Sequence, residues 1–396
     1  MTGPLDGVRV VDLTAMLAGP YATMFLADLG ADVVKVEPPS GDLSRRAGPF
    51  RDGDDPAGLA GYFQSVNRGK RSVVLDLKSD AGQRHFRELA RNADVVVENY
   101  SAGVMERLGL SYETLQADNP RLIYAALRGF GDPRTGVSPY STWPAFDVVA
   151  QAMGGFLGIT GTADGAPVKS GPGIGDLFPG VLLALGILSA LHHRSRTGVG
   201  QFVDVAMYDA VLSLCERIVY QHSYTGAIPA PQGNSHPLFC PFDILPTADG
   251  HIALAANDAQ WAIVCDAMGR PDLATDARFA TNHQRKIHSA ELLGALNDWL
   301  SQLTTEEVVA LLGGKVPIGP VNSVADIYAD PHIAARHMLV EVEQPGSQRP
   351  VTIAGQPIKF SDTPASVGTR APILGEHDIT DILTSWGPAP PHGDGR

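Results

Sequence analysis

The stretch LDGVRVVDLTAMLAGPYATMFLADLGADVVKVEPPSGD, Leu5 to Asp42, decides the fold. Val8 to Leu13 (VRVVDL) is a short β-branched run and reads as a buried strand. Pro20 to Leu29 reads as a helix closed by Gly30, because glycine takes the left-handed turn that ends a helix. Ala31 to Glu37 (ADVVKVE) is a second strand, stopped by Pro38 and Pro39. A strand, a helix and a strand in so short a span imply two parallel strands joined by a crossover helix.

The pattern continues outward. Ser72 to Leu77, Val95 to Glu98 and Leu122 to Leu127 are strand-like, with helical segments at Gly82 to Arg91 and Ala102 to Leu108. Such alternation implies an α/β fold with a mainly parallel sheet covered on both faces. Asp42 to Gly61 and Gly129 to Pro144 read as long loops, a length that usually marks function. Leu177 to Arg194 is a strong helix whose basic end suits a helix C-terminus. Phe202 to Tyr224 reads as a second long helix. After Gly226, Pro229, Pro231, Pro237, Pro241 and Pro246 mark a linker into a smaller domain. That domain carries a strand at His251 to Ala255 and helices at Gln260 to Met268, Ala290 to Gln302 and Thr305 to Leu312. The reading is therefore a large Rossmann-like α/β domain over 1–200, rejoined by 340–387, a small α+β domain over 226–330, and a disordered tail over 388–396.

Composition narrows the function. A formal net charge of −13 argues against nucleic acid and anionic membrane as partners, while leaving room for a local basic pocket. Cys215, Cys240 and Cys265 are too few and too scattered for a disulfide framework or a zinc site, and fit reduced thiols in a cytoplasm. No signal peptide is visible, and the apolar run Val181 to Leu191 is too short to span a bilayer.

Several site motifs are absent. Glu37 stands where a dinucleotide fold places its ribose-binding acid, but the first crossover reads Leu17-Ala18-Gly19-Pro20-Tyr21 rather than GxGxxG, so its backbone cannot approach a pyrophosphate closely. The histidines lack HExxH spacing, no metal is expected, and no Gly-x-Ser-x-Gly occurs. Asp176 is different. It stands in Gly171-Pro-Gly-Ile-Gly-Asp-Leu-Phe-Pro-Gly180, just before the strong helix. Position alone reads it as a helix N-cap. The glycines read otherwise, because they strip side chains from the approach to one carboxylate. The helix dipole would hold that carboxylate ionised, as nucleophilic attack on an acyl group requires.

The order of segments resembles the class III CoA-transferase family over nearly the whole chain. Beside Leu5 to Asp42 stand NRGKRSVVLDLK (67–78), ADVVVENYSAGVMERLGL (93–110), NPRLIYAALRGFG (119–131), FDVVAQAMGG (146–155), GDLFPG (175–180), TGVGQFVDVAMYDA (197–210), DPHIAARHML (330–339) and LGEH (374–377). The resemblance implies a homodimer of two interlocked subunits, no prosthetic group, and coenzyme A or acyl-CoA as substrate. It implies Asp176 as the nucleophile, passing through an aspartyl–acyl anhydride and an aspartyl-CoA thioester to a small carboxylic acid. It implies CoA contacts from Leu17, Ala18, Asn99, Tyr100 and Arg107, with Lys70, Arg71, Arg45 and Arg46 as further basic candidates, and a substrate pocket at Phe146, Asp147 and Gly175. Asp147 also reads as an N-cap for Val148 to Met153.

Two departures matter. Racemases of this family carry a proton-transferring His where this chain has Phe146, which disfavours an acyl-CoA racemase or isomerase. Formyl-CoA transferases carry Gln at Leu17 and a glycine run at Ala255-Ala256-Asn257-Asp258, which puts oxalate in doubt as acceptor. A catalytically silent CoA-binding protein is the alternative from another class.

Overall fold

A computed structural model describes residues 3–51, 59–162 and 165–387; the tail expected over 388–396 lies outside them. The chain divides into two compact units. Unit 1 is Met1–Phe156, Ser170–Tyr220 and Pro331–Arg396; unit 2 is Leu157–Lys169 and Gln221–Asp330.

Unit 1 is built on six parallel strands: β1 (Arg9–Asp12), β2 (Asp32–Glu37), β3 (Arg71–Val74), β4 (Val95–Glu98), β5 (Ile123–Arg128) and β6 (Phe202–Ala206). They lie in the order β3-β2-β1-β4-β5-β6. This is the doubly wound order of Rossmann-type folds, in which the connections reverse direction beside β1 and open a crevice at the strands' C-terminal ends. Every residue of β4 and β5 is buried, as expected where helices cover both faces.

The helices of this unit include α1 (Ala18–Asp28), α2 (Gly61–Asn67), α3 (Asp80–Asn92), α4 (Val104–Arg107), α5 (Tyr112–Asp118), α6 (Asp147–Met153), the first residue of the single turn α7 (Phe156–Ile159), the long α8 (Ile174–Thr197), α9 (Met207–Leu214) and the start of α10 (Glu216–Thr225). Helix α3 is amphipathic: Phe86, Leu89 and Ala90 enter the core, and Ser79 caps its start by accepting from Gly82 N–H.

The helix expected over Phe202 to Tyr224 is corrected. Its first five residues, FVDVA, form β6 against β5, because alternating β-branched residues suit the open sheet edge better than a helix. Helix α8 is also longer than its apolar centre suggested. On length and composition alone its 24 residues would suffice to cross a membrane. Its Leu183, Ala184, Ile187 and Ala190 are buried, and it packs on α1, β5 and β6.

The C-terminal segments of unit 1 return to the β2–β3 edge. Arg45 Nη1 donates to Pro372 O at 3.0 Å, Ala371 N–H to Gln64 Oε1 at 2.8 Å, and His377 N–H to Ser72 O at 3.0 Å. A last helix, Ile379–Trp386, buries Ile382 and Trp386 against the α3 side of the core.

Unit 2 has an antiparallel sheet of β7 (Phe242–Pro246), β8 (His251–Ala255) and β9 (Ile318–Pro320), in that order. Its core holds Trp261, Val264, Leu296, Val308 and Leu312. Asn257 caps α11 (Asp258–Ala267), accepting from Gln260 N–H at 2.9 Å, so Ala255 to Asp258 forms a strand-to-helix turn.

Candidate active site

The crevice of unit 1 opens beside β1. The loop that leaves β1 is held tightly. Thr14 donates from N–H and hydroxyl to Asp12 Oδ1 at 2.8 and 2.5 Å. Asn99, just past β4, clamps Ala15 with two bonds of 2.8 Å, donating to its carbonyl and accepting from its N–H. Met16 takes a left-handed φ of 68°, an uncommon strain for a side-chain-bearing residue, while its N–H donates to Asp42 Oδ1.

Buried charges support this loop. Lys35 Nζ donates to Thr14 O at 2.6 Å and pairs with Asp42 at 3.0 Å. Lys70 Nζ binds Asp12 at 2.9 Å, Asn67 Oδ1 at 2.8 Å and Pro20 O at 3.1 Å. Burial lowers the Lys70 pKa to about 8, against the pull of Asp12. Lys70 is therefore an interior cation rather than part of a basic lining. Arg45 is likewise buried, paired with Glu37 at 2.6 Å and stacked 3.7 Å over the Phe63 ring. Arg71 forks onto Asp32, and exposed Arg46 reaches Ser40 O at 3.2 Å. Neither lines the crevice. Arg107 does not line it either. It ends α4 exposed to solvent, with no side-chain hydrogen bond or ion pair among the described residues, and its Nη1 would sit 3.0 Å from a Cβ at Gly103.

Asp176 sits in the first turn of α8, two residues inside its start. It is not the cap. Gly173 holds the cap position without a side-chain bond, and Asp176 N–H itself donates to Gly173 O at 3.1 Å. The capping acceptor comes from another helix: Asp147 Oδ1 takes Gly175 N–H at 2.7 Å. Asp147 does not cap its own helix either, since it is the first residue of α6 and Phe146 holds that cap position. The glycines have separate reasons. A Cβ on Gly175 would meet Asp147 O at 2.5 Å, and one on Gly180 would meet Ala18 O at 2.6 Å. Backbone contact with α6 and α1 thus fixes where α8 begins.

The half-buried carboxylate of Asp176 has no hydrogen-bond or ion-pair partner among the described residues. Burial, and then the charge of Asp147, push its pKa up to about 6. Burial and Asp147 thus act against the helix dipole, which favours the ionised form. At pH 7 ionised Asp176 still outnumbers protonated about tenfold, and a more basic carboxylate is a stronger nucleophile. The Tyr62 phenol is pushed up to about 12 by burial and then by Asp176, Asp42 and Asp147.

Asp176 lines a cavity of about 190 Å³ with Leu17, Ala18, Asn99, Tyr100 and Phe146. Asp147 and Gly175 lie behind the carboxylate rather than in the cavity wall, and Lys70 and Arg71 are elsewhere. Drug-sized ligands need roughly 300–1,000 Å³, so this cavity takes a reacting end and not a whole nucleotide. Helix α1 starts at its wall without a side-chain cap, so backbone donors are available to a developing oxyanion.

The sequence reading passed over some residues of the site. Arg128 lines the cavity, donates to Tyr100 O at 3.2 Å, and is paired with Glu98 and Asp132. Its place at the C-terminal end of β5 was the available signal. Trp143 also lines the cavity and belongs to an aromatic wall, 4.8 Å from Tyr140 and 6.4 Å from Phe130. Among the described residues no group of three His, Cys, Asp or Glu is arranged to hold a metal.

The sequence profile of CoA-transferase family III matches residues 5–378. The succinyl-CoA:mesaconate CoA-transferase of Haloarcula hispanica is 54% identical, over 95% of this chain and 94% of its own. The succinate–glutarate CoA-transferase of Agrobacterium fabrum is 39% identical over 94% of each chain. Among solved structures, a CAIB/BAIF family protein from Brucella suis superposes with a TM-score of 0.85 at 38% identity, covering 98% of this chain and 100% of that one.

Proposed function

The chain belongs to CoA-transferase family III, and from that premise we propose that it exchanges CoA between small dicarboxylic acids with Asp176 as the nucleophile. The observation that carries this reading is the carboxylate of Asp176, without a partner among the described residues, facing a cavity of about 190 Å³ that has room for an acyl end. The similarity to transferases named for succinyl-CoA, mesaconate, succinate and glutarate supports dicarboxylates as the substrate class.

In this mechanism Asp176 attacks the thioester carbonyl of the donor. The CoA thiolate leaves, and an aspartyl–acyl anhydride remains. The thiolate then attacks the aspartyl carbonyl, releasing the donor acid and leaving an aspartyl-CoA thioester. The acceptor carboxylate attacks that thioester, freeing the thiolate again and forming a second anhydride. Attack of the thiolate on the acceptor's acyl carbon yields the new acyl-CoA and restores Asp176. Each step exchanges one activated acyl bond for another, so one difficult transfer is split into easier ones. Uncapped N–H groups at the start of α1 would stabilise the oxyanions. Phe146 at the cavity edge has no proton to exchange, which favours transfer over racemisation.

The test is mass spectrometry after incubation with succinyl-CoA and mesaconate. Mesaconyl-CoA and a CoA-modified peptide containing Asp176 are expected. Product without label on that peptide would refute the nucleophile, and no CoA product from any of a panel of dicarboxylates would refute the substrate class. For the CoA end, Arg107→Glu should weaken binding of free CoA about tenfold at low salt and less at high salt, because a free surface cation attracts phosphate through a screened charge. Unchanged affinity at low salt would remove Arg107 from the site.

A further inference from the structure

We infer that Asp147, braced by Gln151, is a positioning residue that sets both the place and the charge environment of the nucleophile. The inference rests on the reading of Asp176 as that nucleophile. Asp147 projects from α6 to Gly175 at the start of α8, 28 residues away in sequence. Its Oδ1 accepts Gly175 N–H at 2.7 Å and Gln151 Nε2 at 2.8 Å, and its Oδ2 accepts Gln151 Nε2 at 2.9 Å. Gln151 is fully buried, and its Oε1 accepts Ser170 N–H at 3.1 Å. One chain of bonds therefore runs from Ser170 through Gln151 and Asp147 to Gly175. It holds both ends of the glycine segment that delivers Asp176.

A neutral Asn could accept the Gly175 N–H as well. A carboxylate does more. It sets a second negative charge beside the nucleophile, and no cation among the described residues offsets it. The groups facing Asp176 are Asp147 from α6 and Tyr62 from α2, whose phenol stays protonated well above neutrality. After burial, the charge of Asp147 further raises the proton affinity of Asp176, and a more basic carboxylate attacks an acyl carbon faster. The bond to Gly175 fixes the backbone, and the charge sharpens the nucleophile.

The test compares wild type, Asp147→Asn and Gln151→Ala in single-turnover labelling of the protein by succinyl-CoA, across pH 4.5 to 8. Wild type should show an acid limb near the Asp176 pKa of about 6. Asp147→Asn should label about tenfold more slowly at neutral pH, with its acid limb moved down toward the ordinary Asp range and its affinity for acyl-CoA kept. Gln151→Ala keeps the charge and loosens the brace. It should label ten- to a hundredfold more slowly with the acid limb in place. Labelling at the wild-type rate with an unmoved limb in Asp147→Asn would overturn the inference. Should that variant not fold, unimpaired labelling by Gln151→Ala would overturn it equally. If wild type itself gives no label on Asp176, the nucleophile reading fails first, so the two failures are distinguishable.

Discussion

Asp176→Asn is expected to lose at least a thousandfold in CoA transfer and yet to melt at a higher temperature than wild type. The loss follows from removing the only group proposed to form the covalent bond, since nucleophile deletions in covalent enzymes cost about 10³-fold or more. The gain follows from the sign of the proton linkage. The folded pKa of about 6 lies above the ordinary aspartate value of 3.8. Between those values the native state binds more protons than the unfolded chain, so stability falls as pH rises through this window. The contribution is fully present below about pH 4 and gone above about pH 6. At pH 7 the ionised carboxylate costs the fold about 2 kcal/mol, after allowance for solvent screening. Asn removes the charge and keeps the shape. Its advantage should shrink as the pH is lowered toward 4. If Asp176 were instead a cap, its loss would destabilise by about 1 kcal/mol. Retained turnover, or a lower melting temperature at pH 7, would count against the assignment.

Gly175→Ala should lose about a hundredfold in kcat, although alanine is the better helix former by about 1 kcal/mol. The new Cβ would stand 2.5 Å from the backbone carbonyl of Asp147 and 3.1 Å from Ala150 Cβ. The first contact is with backbone, which no rotamer change relieves. Helix α8 must then shift at its start, moving its neighbour Asp176 and stretching the Gly175–Asp147 bond. Displacement of a reacting group by an ångström can cost about 10²-fold, and overpacking about 1–3 kcal/mol. Transfer kinetics and thermal melting would check both. Wild-type kcat in this variant would mean that the close approach of α8 and α6 does not set the nucleophile.

How far the sequence could be read depends on whether each signal is local. Strands β1, β2 and β4 announce themselves, because a strand buried on both faces reads as a nearly continuous apolar run. Strand β6 was hidden. Phe202 to Ala206 precedes an apolar helix without a turn residue, and only the free edge of β5 decides its form. Asp176 stood out by its glycines, yet its cap came from Asp147, and no local spacing links residues on two different helices. The cations were the least legible. Lys70 and Arg107 look alike in sequence, but one meets Asp12 in the interior and the other meets water. Lys35, inside the apolar run DVVKVE, was the hint that this fold buries charge beneath its crevice.

The return of the C-terminal segments to the β2–β3 edge has a consequence for biosynthesis. Ser72 and Arg45 find their partners His377 and Pro372 only after roughly three hundred further residues have been translated. At about 5–20 residues per second that interval is roughly 15–60 s. During it the sheet edge of the nascent chain is open, and Gln64 and Arg45 lack the backbone partners that complete their burial. Unit 1 therefore cannot finish folding in the order in which it is made; unit 2, whose main segment ends at Asp330, is fully translated first.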